Sequence, residues 1–160
     1  MAHETIVVRR LRESEPAPTE LLLLADPSAD MIDSYLPRCV VYVAEHLDAG
    51  VVGVCAVLPT RPGVVEIVNV AVDEAWQRQG VASGLLREVI ALAKETPAVG
   101  RLEIATGNSS FTQLRLYQRL GFRMTHIEQD YFVKHYPQPI YEDGLQCRDL
   151  VHLAMDIPTG

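Results

Sequence analysis

Cysteine is scarce and scattered along this chain. Cys39, Cys55 and Cys147 form no Cys-x-x-Cys pair and no His/Cys cluster. Neither a disulfide framework nor a metal site is expected from them. A basic excess is missing as well: the formal net charge is −7 at pH 7. General nucleic-acid binders are usually basic, so no nucleic-acid partner is expected. Long apolar runs are absent, and nothing approaches the roughly 20 residues that span a bilayer. Met1-Ala2-His3-Glu4 lacks the basic-then-apolar pattern of a leader. The expectation is no membrane and a cytoplasmic location. The chain has no Gly-Lys-Ser/Thr end of a P-loop and no Gly-x-Gly-x-x-Gly of a dinucleotide fold. Internal repeats and low-complexity tracts are missing too.

What remains is an ordinary globular composition, 48% apolar and 22% charged over 160 residues, the size of one domain. Residues 5–11 read as a strand. Pro16 and Pro18 punctuate a loop, and Thr19 is a candidate cap for a short helix ending at Ala25. A second helix fits 29–36, stopped by Pro37. Residues 39–47 and 51–58 read as a hairpin about Asp48-Ala49-Gly50, and 60–63 turn into a strand over 64–72. The helix 80–95 carries Val81, Leu85, Val89 and Leu92 on one stripe, widened by Ala82, Leu86, Ile90 and Ala93. A strand follows at 101–105. Ser110-x-x-Gln113 has the capping-box spacing for a helix ending at Leu120, and Gly121 suits a left-handed C-terminal cap. Residues 122–133 and 148–157 read as the last two strands. The connection 135–144 between them is long, and long ordered connections are often functional.

Two segments carry the chemistry. In Glu66-Ile67-Val68-Asn69-Val70-Ala71-Val72-Asp73 an apolar strand runs into the turn Gln77-Arg78-Gln79-Gly80, which opens a helix at Val81-Ala82-Ser83. The first N–H groups of a helix have no partner inside it, and small residues let an anion approach them. Such a turn suits a pyrophosphate, with Arg78 available for a charge-assisted contact. The plainer alternative is a strand-to-helix connection with small residues at the helix start. In the second segment, Leu114-Arg115-Leu116-Tyr117-Gln118-Arg119-Leu120-Gly121-Phe122, a helix stops at a glycine and re-enters the sheet on an aromatic.

Together these segments resemble the GNAT superfamily of acyl-CoA-dependent N-acyltransferases. Gln77-x-x-Gly80-x-Ala82 matches its Arg/Gln-x-x-Gly-x-Gly/Ala loop, and Leu116-Tyr117-x-x-Leu120-Gly121-Phe122 matches its Leu-Tyr-x-x-x-Gly-Phe helix end. The strongest matches cover residues 64–122. The resemblance implies an α/β (α+β) fold over a single domain, 1–160. Its central sheet is mixed, mostly antiparallel, flanked by helices, and splayed between a fourth strand at 64–72 and a fifth at 101–105. Acetyl-CoA is the implied cosubstrate. Gln77, Arg78, Gln79, Gly80, Val81, Ala82 and Ser83 would hold its pyrophosphate. Val70, Ala71 and Val72 would pair with its pantetheine arm through the backbone.

Tyr117 would protonate the departing thiolate. The alternative is a helix-end tyrosine packed among leucines. Glu66 is a lone carboxylate in an apolar strand, and strict alternation would align it with Val68, Val70 and Val72. As a buried carboxylate it would suit the base that strips a proton from an ammonium. The alternative is a strand-start glutamate in a salt bridge or in solvent. The family asparagine, expected seven residues before the tyrosine, is replaced by Ser110, while Asn108 lies nine back. Either could reach the cofactor.

No cysteine or serine sits in a nucleophile motif, so direct attack in a ternary complex is expected rather than an acyl-enzyme. The implied acceptor is a primary amine on a small molecule or peptide, and the negative net charge is compatible with a cationic one. A homodimer through the last hairpin stays open by the same resemblance. A non-catalytic acyl-CoA sensor, or an interaction module on this fold, is the rival reading.

Overall fold

The computed structural model describes residues 5–158, so the segment 1–4 read above for a leader lies outside the described residues. In chain order the elements are β1 (Ile6–Arg10), α1 (Thr19–Ala25), α2 (Ala29–Tyr35), β2 (Val40–His46), β3 (Gly50–Arg61), β4 (Val64–Val72), α3 (Val81–Lys94), β5 (Arg101–Gly107), α4 (Phe111–Leu120), β6 (Arg123–Glu128), α5 (Tyr131–His135), β7 (Ile140–Glu142), β8 (Leu145–Cys147) and β9 (Leu150–Asp156). Seven strands form one sheet in the order β1-β2-β3-β4-β5-β9-β6, and β7 and β8 form a separate hairpin. Every neighbouring pair in the large sheet is antiparallel except β4 and β5, which run parallel. The mixed, mostly antiparallel α/β architecture expected from the sequence is what the chain adopts.

Each face of the sheet buries its own layer. On one face, Cys55, Val57, Ile67 and Val72 meet the stripe of α3 (Val81, Leu85, Leu86, Val89) and Tyr117 and Phe122 at the end of α4. On the other, Val41, Val43, Val54, Ala56, Leu58 and Ala71 meet Leu21, Leu22, Ile32 and Tyr35 of α1 and α2. Burying a large apolar side chain contributes about 1.5–3 kcal/mol, so both layers are stabilised mainly by these contacts.

Several local expectations are corrected. Thr19 is the first helical residue rather than a cap, and its hydroxyl donates back to Ala17 O. Ser28 is the side-chain cap that forms, accepting from Met31 N–H at 3.2 Å. The capping box at Ser110 does not form, and the Ser110 hydroxyl donates to Glu142 Oε1 at 2.9 Å. The strand expected over 122–133 stops at Glu128. Asp130 turns left-handed, with φ of 60°, and Tyr131 and His135 stack one helical turn apart in α5. The connection 135–144 contains β7 and turns at Asp143-Gly144, both at positive φ. Asp-Gly at such a turn is a strong hairpin signal, and it was legible in the sequence.

Gly121 caps α4 in the left-handed conformation, with φ of 108°, as its position suggested.

Candidate active site

β4 and β5 separate within the sheet. They pair only from Val64 with Arg101 through Ile67 with Ile104, and beyond that pairing no strand among the described residues fills the space between them. The separation follows a bulge. Against β3, Asn69 sits opposite Ala56 and Ile67 opposite Val57, so Val68 is the extra residue. The bulge also resets the alternation. Glu66 lies across from Leu58, and Asn69 and Ala71 lie across from Ala56 and Val54, all on the α1/α2 face. Glu66 therefore shares its face with Asn69 and Ala71, not with Val70 and Val72 as strict alternation required.

Backbone direction follows from the pairing. Asp73 N–H donates to Val52 O at 2.8 Å. Antiparallel pairs alternate between bonded and non-bonded. Ala71 thus turns its polar groups toward β3, while Val70 and Val72 turn theirs toward the gap. Val72 O is already taken, accepting from Gln77 Nε2 at 3.0 Å. Val70 is left with its N–H and C=O facing the opening.

Beyond the gap, a single 3-10 turn, Glu74–Trp76, leads to the loop before α3. Gln77 braces this loop against β4, and Gln79 Nε2 donates to Ala75 O. Arg78 and Gly80 have φ of 63° and 82°, a curl that aims successive N–H groups at one point. Gly80 caps α3 with no side-chain bond, and the first helical bond runs from Gly84 N–H to Gly80 O at 2.9 Å. Among the described residues, the N–H groups of Val81, Ala82 and Ser83 have no acceptor, and the Arg78 guanidinium has no carboxylate partner.

Tyr117 lies on the α3 side of the gap. Its residue is 3% exposed, its ring meets Phe122 edge-on at 6.3 Å, and its hydroxyl has no hydrogen-bond partner among the described residues. Burial pushes the phenol far up, with neighbouring Cys55 adding to the effect. A phenol so placed stays protonated at neutral pH. Glu66 lies on the opposite face and carries no hydrogen bond or ion pair among the described residues. Burial, then the charge of Glu103, raises its carboxyl above the ordinary range, against the smaller pull of His152 and Arg61.

Asn108 and Ser110 are committed elsewhere. Asn108 Oδ1 accepts from the N–H groups of Arg148 and Asp149 at 2.8 and 3.0 Å, and its Nδ2 donates to Gln146 O at 3.2 Å. These bonds, with the Ser110–Glu142 bond, fasten the β7–β8 hairpin to the end of β5. Sequence reading missed Asn69. It is a polar residue in an apolar strand, 4% exposed, and its Nδ2 donates to Leu22 O and the Tyr35 hydroxyl, both at 3.0 Å. A polar side chain inside an otherwise apolar strand was the available signal.

A parallel pair that splays at a bulge, a curled helix start without acceptors, and a buried tyrosine beside the opening define a fold with known relatives. The model of the Acetyltransferase (GNAT) family matches residues 8–122, and the chain belongs to that family. It is 49% identical over 138 residues to the uncharacterized N-acetyltransferase YvbK of Bacillus subtilis, covering 86% of this chain and 88% of that protein. It superposes on a GNAT family acetyltransferase from Elizabethkingia anophelis with acetyl-CoA bound. There the TM-score is 0.91 and the identity 40%, over 96% of this chain and 99% of the other. A Bacillus subtilis acetyltransferase in complex with CoA gives a TM-score of 0.88 and 44% identity, over 96% of this chain and 99% of the other. Among the described residues no helix is long and apolar enough to cross a membrane, and no group of three or more metal-ligating side chains is present.

Proposed function

We propose that this protein is an N-acetyltransferase that moves the acetyl group of acetyl-CoA to a primary amine by direct attack in a ternary complex. The observation that supports this reading is the parting of β4 and β5 at a bulge beside Val70, together with the α3 N–H groups and the Tyr117 hydroxyl that have no partner among the described residues. Relatives with acetyl-CoA or CoA bound support the choice of cosubstrate. Residues 77–83 receive the pyrophosphate, through the α3 N–H groups and Arg78. Val70, with Ala71 and Val72 as its frame, pairs with the pantetheine arm, and its N–H polarises the thioester carbonyl. Asn108 and Ser110 contribute by holding the rim rather than through free side-chain groups.

Glu66, in the last paired stretch of β4 before the gap, and Tyr117 lie on opposite faces of the sheet, which suits a base and an acid acting on opposite sides of one carbonyl carbon. Glu66 takes a proton from the ammonium. The freed nitrogen attacks, a C–N bond forms, and the C–S bond breaks. The attacking nitrogen loses its second proton to solvent as the intermediate collapses. Tyr117 gives its proton to the departing thiolate and regains one from solvent, and Glu66 releases the proton it took, so the products are the amide, the free thiol and one net proton. The test is thiol release from acetyl-CoA over an amine panel, together with calorimetric titration of coenzyme A. Saturable binding and amine-dependent thiol release are expected. Binding without release by any amine would favour an acyl-CoA sensor, and no binding at all would remove the donor site.

A further inference from the structure

The face of the sheet that carries Glu66 has a second layer of chemistry beside it. Along α5 and the residue after it, ring centroids of Tyr131 lie 5.1 Å from Phe132, 4.6 Å from His135 and 6.5 Å from Tyr136. The Tyr136 hydroxyl donates to Asp26 Oδ1 at 2.8 Å, and the Tyr35 hydroxyl donates to Asp26 Oδ2 at 3.4 Å. Asn69 completes the chain by donating to Tyr35. A carboxylate and a carbonyl can only accept, so Leu22 O and Asp26 fix the direction of every bond. The Asn69 amide nitrogen faces Leu22 and Tyr35, and its Oδ1 is left buried without a partner.

Tyr131 has no such tether. Its ring is half-buried, its hydroxyl is unbonded among the described residues, and it lies within the fields of Asp26, Glu128 and Glu66. Two of those carboxylates are engaged. Asp26 holds the two tyrosines and the Ser28 N–H, and Glu128 meets His152 at 3.2 Å. Glu66 is not engaged. Of the groups that act on Glu66, Arg61 pairs with Glu103 at 3.0 Å, and His152 Nε2 lies 3.2 Å from Glu128 Oε1. Lys134, on α5, is exposed.

We propose that the acceptor bound here is an arylalkylamine: an ammonium for Glu66, a flat apolar body for the rings of Tyr131 and Tyr136, and no carboxylate. The class follows from what surrounds the site. A cation is favoured by the unpaired carboxylate and by aromatic faces. An acceptor with its own carboxylate would enter the field of three carboxylates and find Arg61 already paired with Glu103. A polyamine has no flat apolar body to lay against the rings.

This inference rests on the N-acetyltransferase reading, and the experiment separates the two. Thiol release from acetyl-CoA is measured with phenethylamine, L-phenylalanine and spermidine. Phenethylamine should give a kcat/KM at least about tenfold above either of the others, the scale of one desolvated cation–ring contact. Tyr131→Ala should raise the KM for phenethylamine about tenfold while the KM for acetyl-CoA stays put, and Tyr131→Phe should restore it. Equal or faster turnover of L-phenylalanine or spermidine, or an unmoved KM in Tyr131→Ala, overturns the acceptor class and leaves the transferase standing. Thiol release from no member of the panel, with coenzyme A still binding, also overturns the class. Failure to bind coenzyme A takes down the transferase reading itself.

Discussion

At the scale of single residues, the proposed site depends on two groups whose hold on a proton is strengthened by burial. Tyr117 is held protonated, as a proton donor to a thiolate must be. Tyr117→Phe keeps the ring against Phe122 and removes only the hydroxyl, so kcat should fall about 10²-fold or more with the affinity for coenzyme A little changed. Calorimetry and single-turnover rates check this, and near-normal turnover would leave Tyr117 a packing residue. Glu66 makes a different prediction because its raised carboxyl is costly to the fold. In the folded chain it binds its proton more tightly than in the unfolded chain, so stability is lost as pH rises through the folded value. Glu66→Gln should therefore raise Tm near pH 8. That gain should close as pH drops below about 4.3, where the unfolded carboxyl is protonated as well. The same variant should lower the rate and remove the acid limb of the kcat/KM profile, whereas Tyr117→Phe should retain that limb. An acid limb that persists unchanged in Glu66→Gln would exclude Glu66 as the base. Stability gained with activity lost is the expected pattern for a group kept for chemistry.

At the scale of elements, what could be read in advance divides by physical cause. The long periodic pieces were legible: α3 buries Val81, Leu85, Leu86, Val89, Ile90 and Ala93 as its stripe implied, and Gly121 ends α4 as a helix-stop glycine should. The bulge was not legible, because an extra residue in an apolar strand leaves no mark in composition. It moved Glu66 onto the face of Asn69 and changed which residues are its neighbours. Ser110 misled for another reason: its hydroxyl is oriented by Glu142, a partner distant in sequence that local spacing does not reveal. The loop before α3 is where element geometry meets binding. Gly80 sits at φ of 82°, where a β-branched residue is strained. Gly80→Val should weaken coenzyme A at least about tenfold, while Gly80→Asn, which tolerates that conformation, should lose far less. A second test concerns the hairpin. A Cβ on Gly107 would overlap Cys147 Sγ, so Gly107→Ala should cost about 1–3 kcal/mol by overpacking. Cys147→Ala in the same chain should recover much of that cost. Denaturant melts of the four proteins give the coupling directly, and additive losses would show that the two residues do not share the space.

At the scale of the whole molecule, the sheet is two half-sheets joined by one short parallel ladder. β1 to β4 form one half, β5, β9 and β6 the other, and the four pairs from Val64 to Ile67 are the strand pairing between them. Helix packing supplies the rest of the joint, since residues of both halves meet α3, Tyr117 and Phe122 in one apolar cluster. A ligand arm that pairs with Val70 would act as an added strand in the opening and bind only the folded chain. Coenzyme A should therefore raise Tm in proportion to the logarithm of its concentration, with about 2.7 kcal/mol of stabilisation at a hundredfold excess over Kd. The gain should be localised. Amide exchange should slow at Val70 and at residues 81–83, whose N–H groups have no acceptor without ligand. The paired amides of β2 and β3, remote from the opening, should change only by the global amount. If protection instead rises evenly across the sheet, or appears at β6 and the outer face of α4, the donor lies elsewhere. The opening between β4 and β5 would then be a feature of the fold alone.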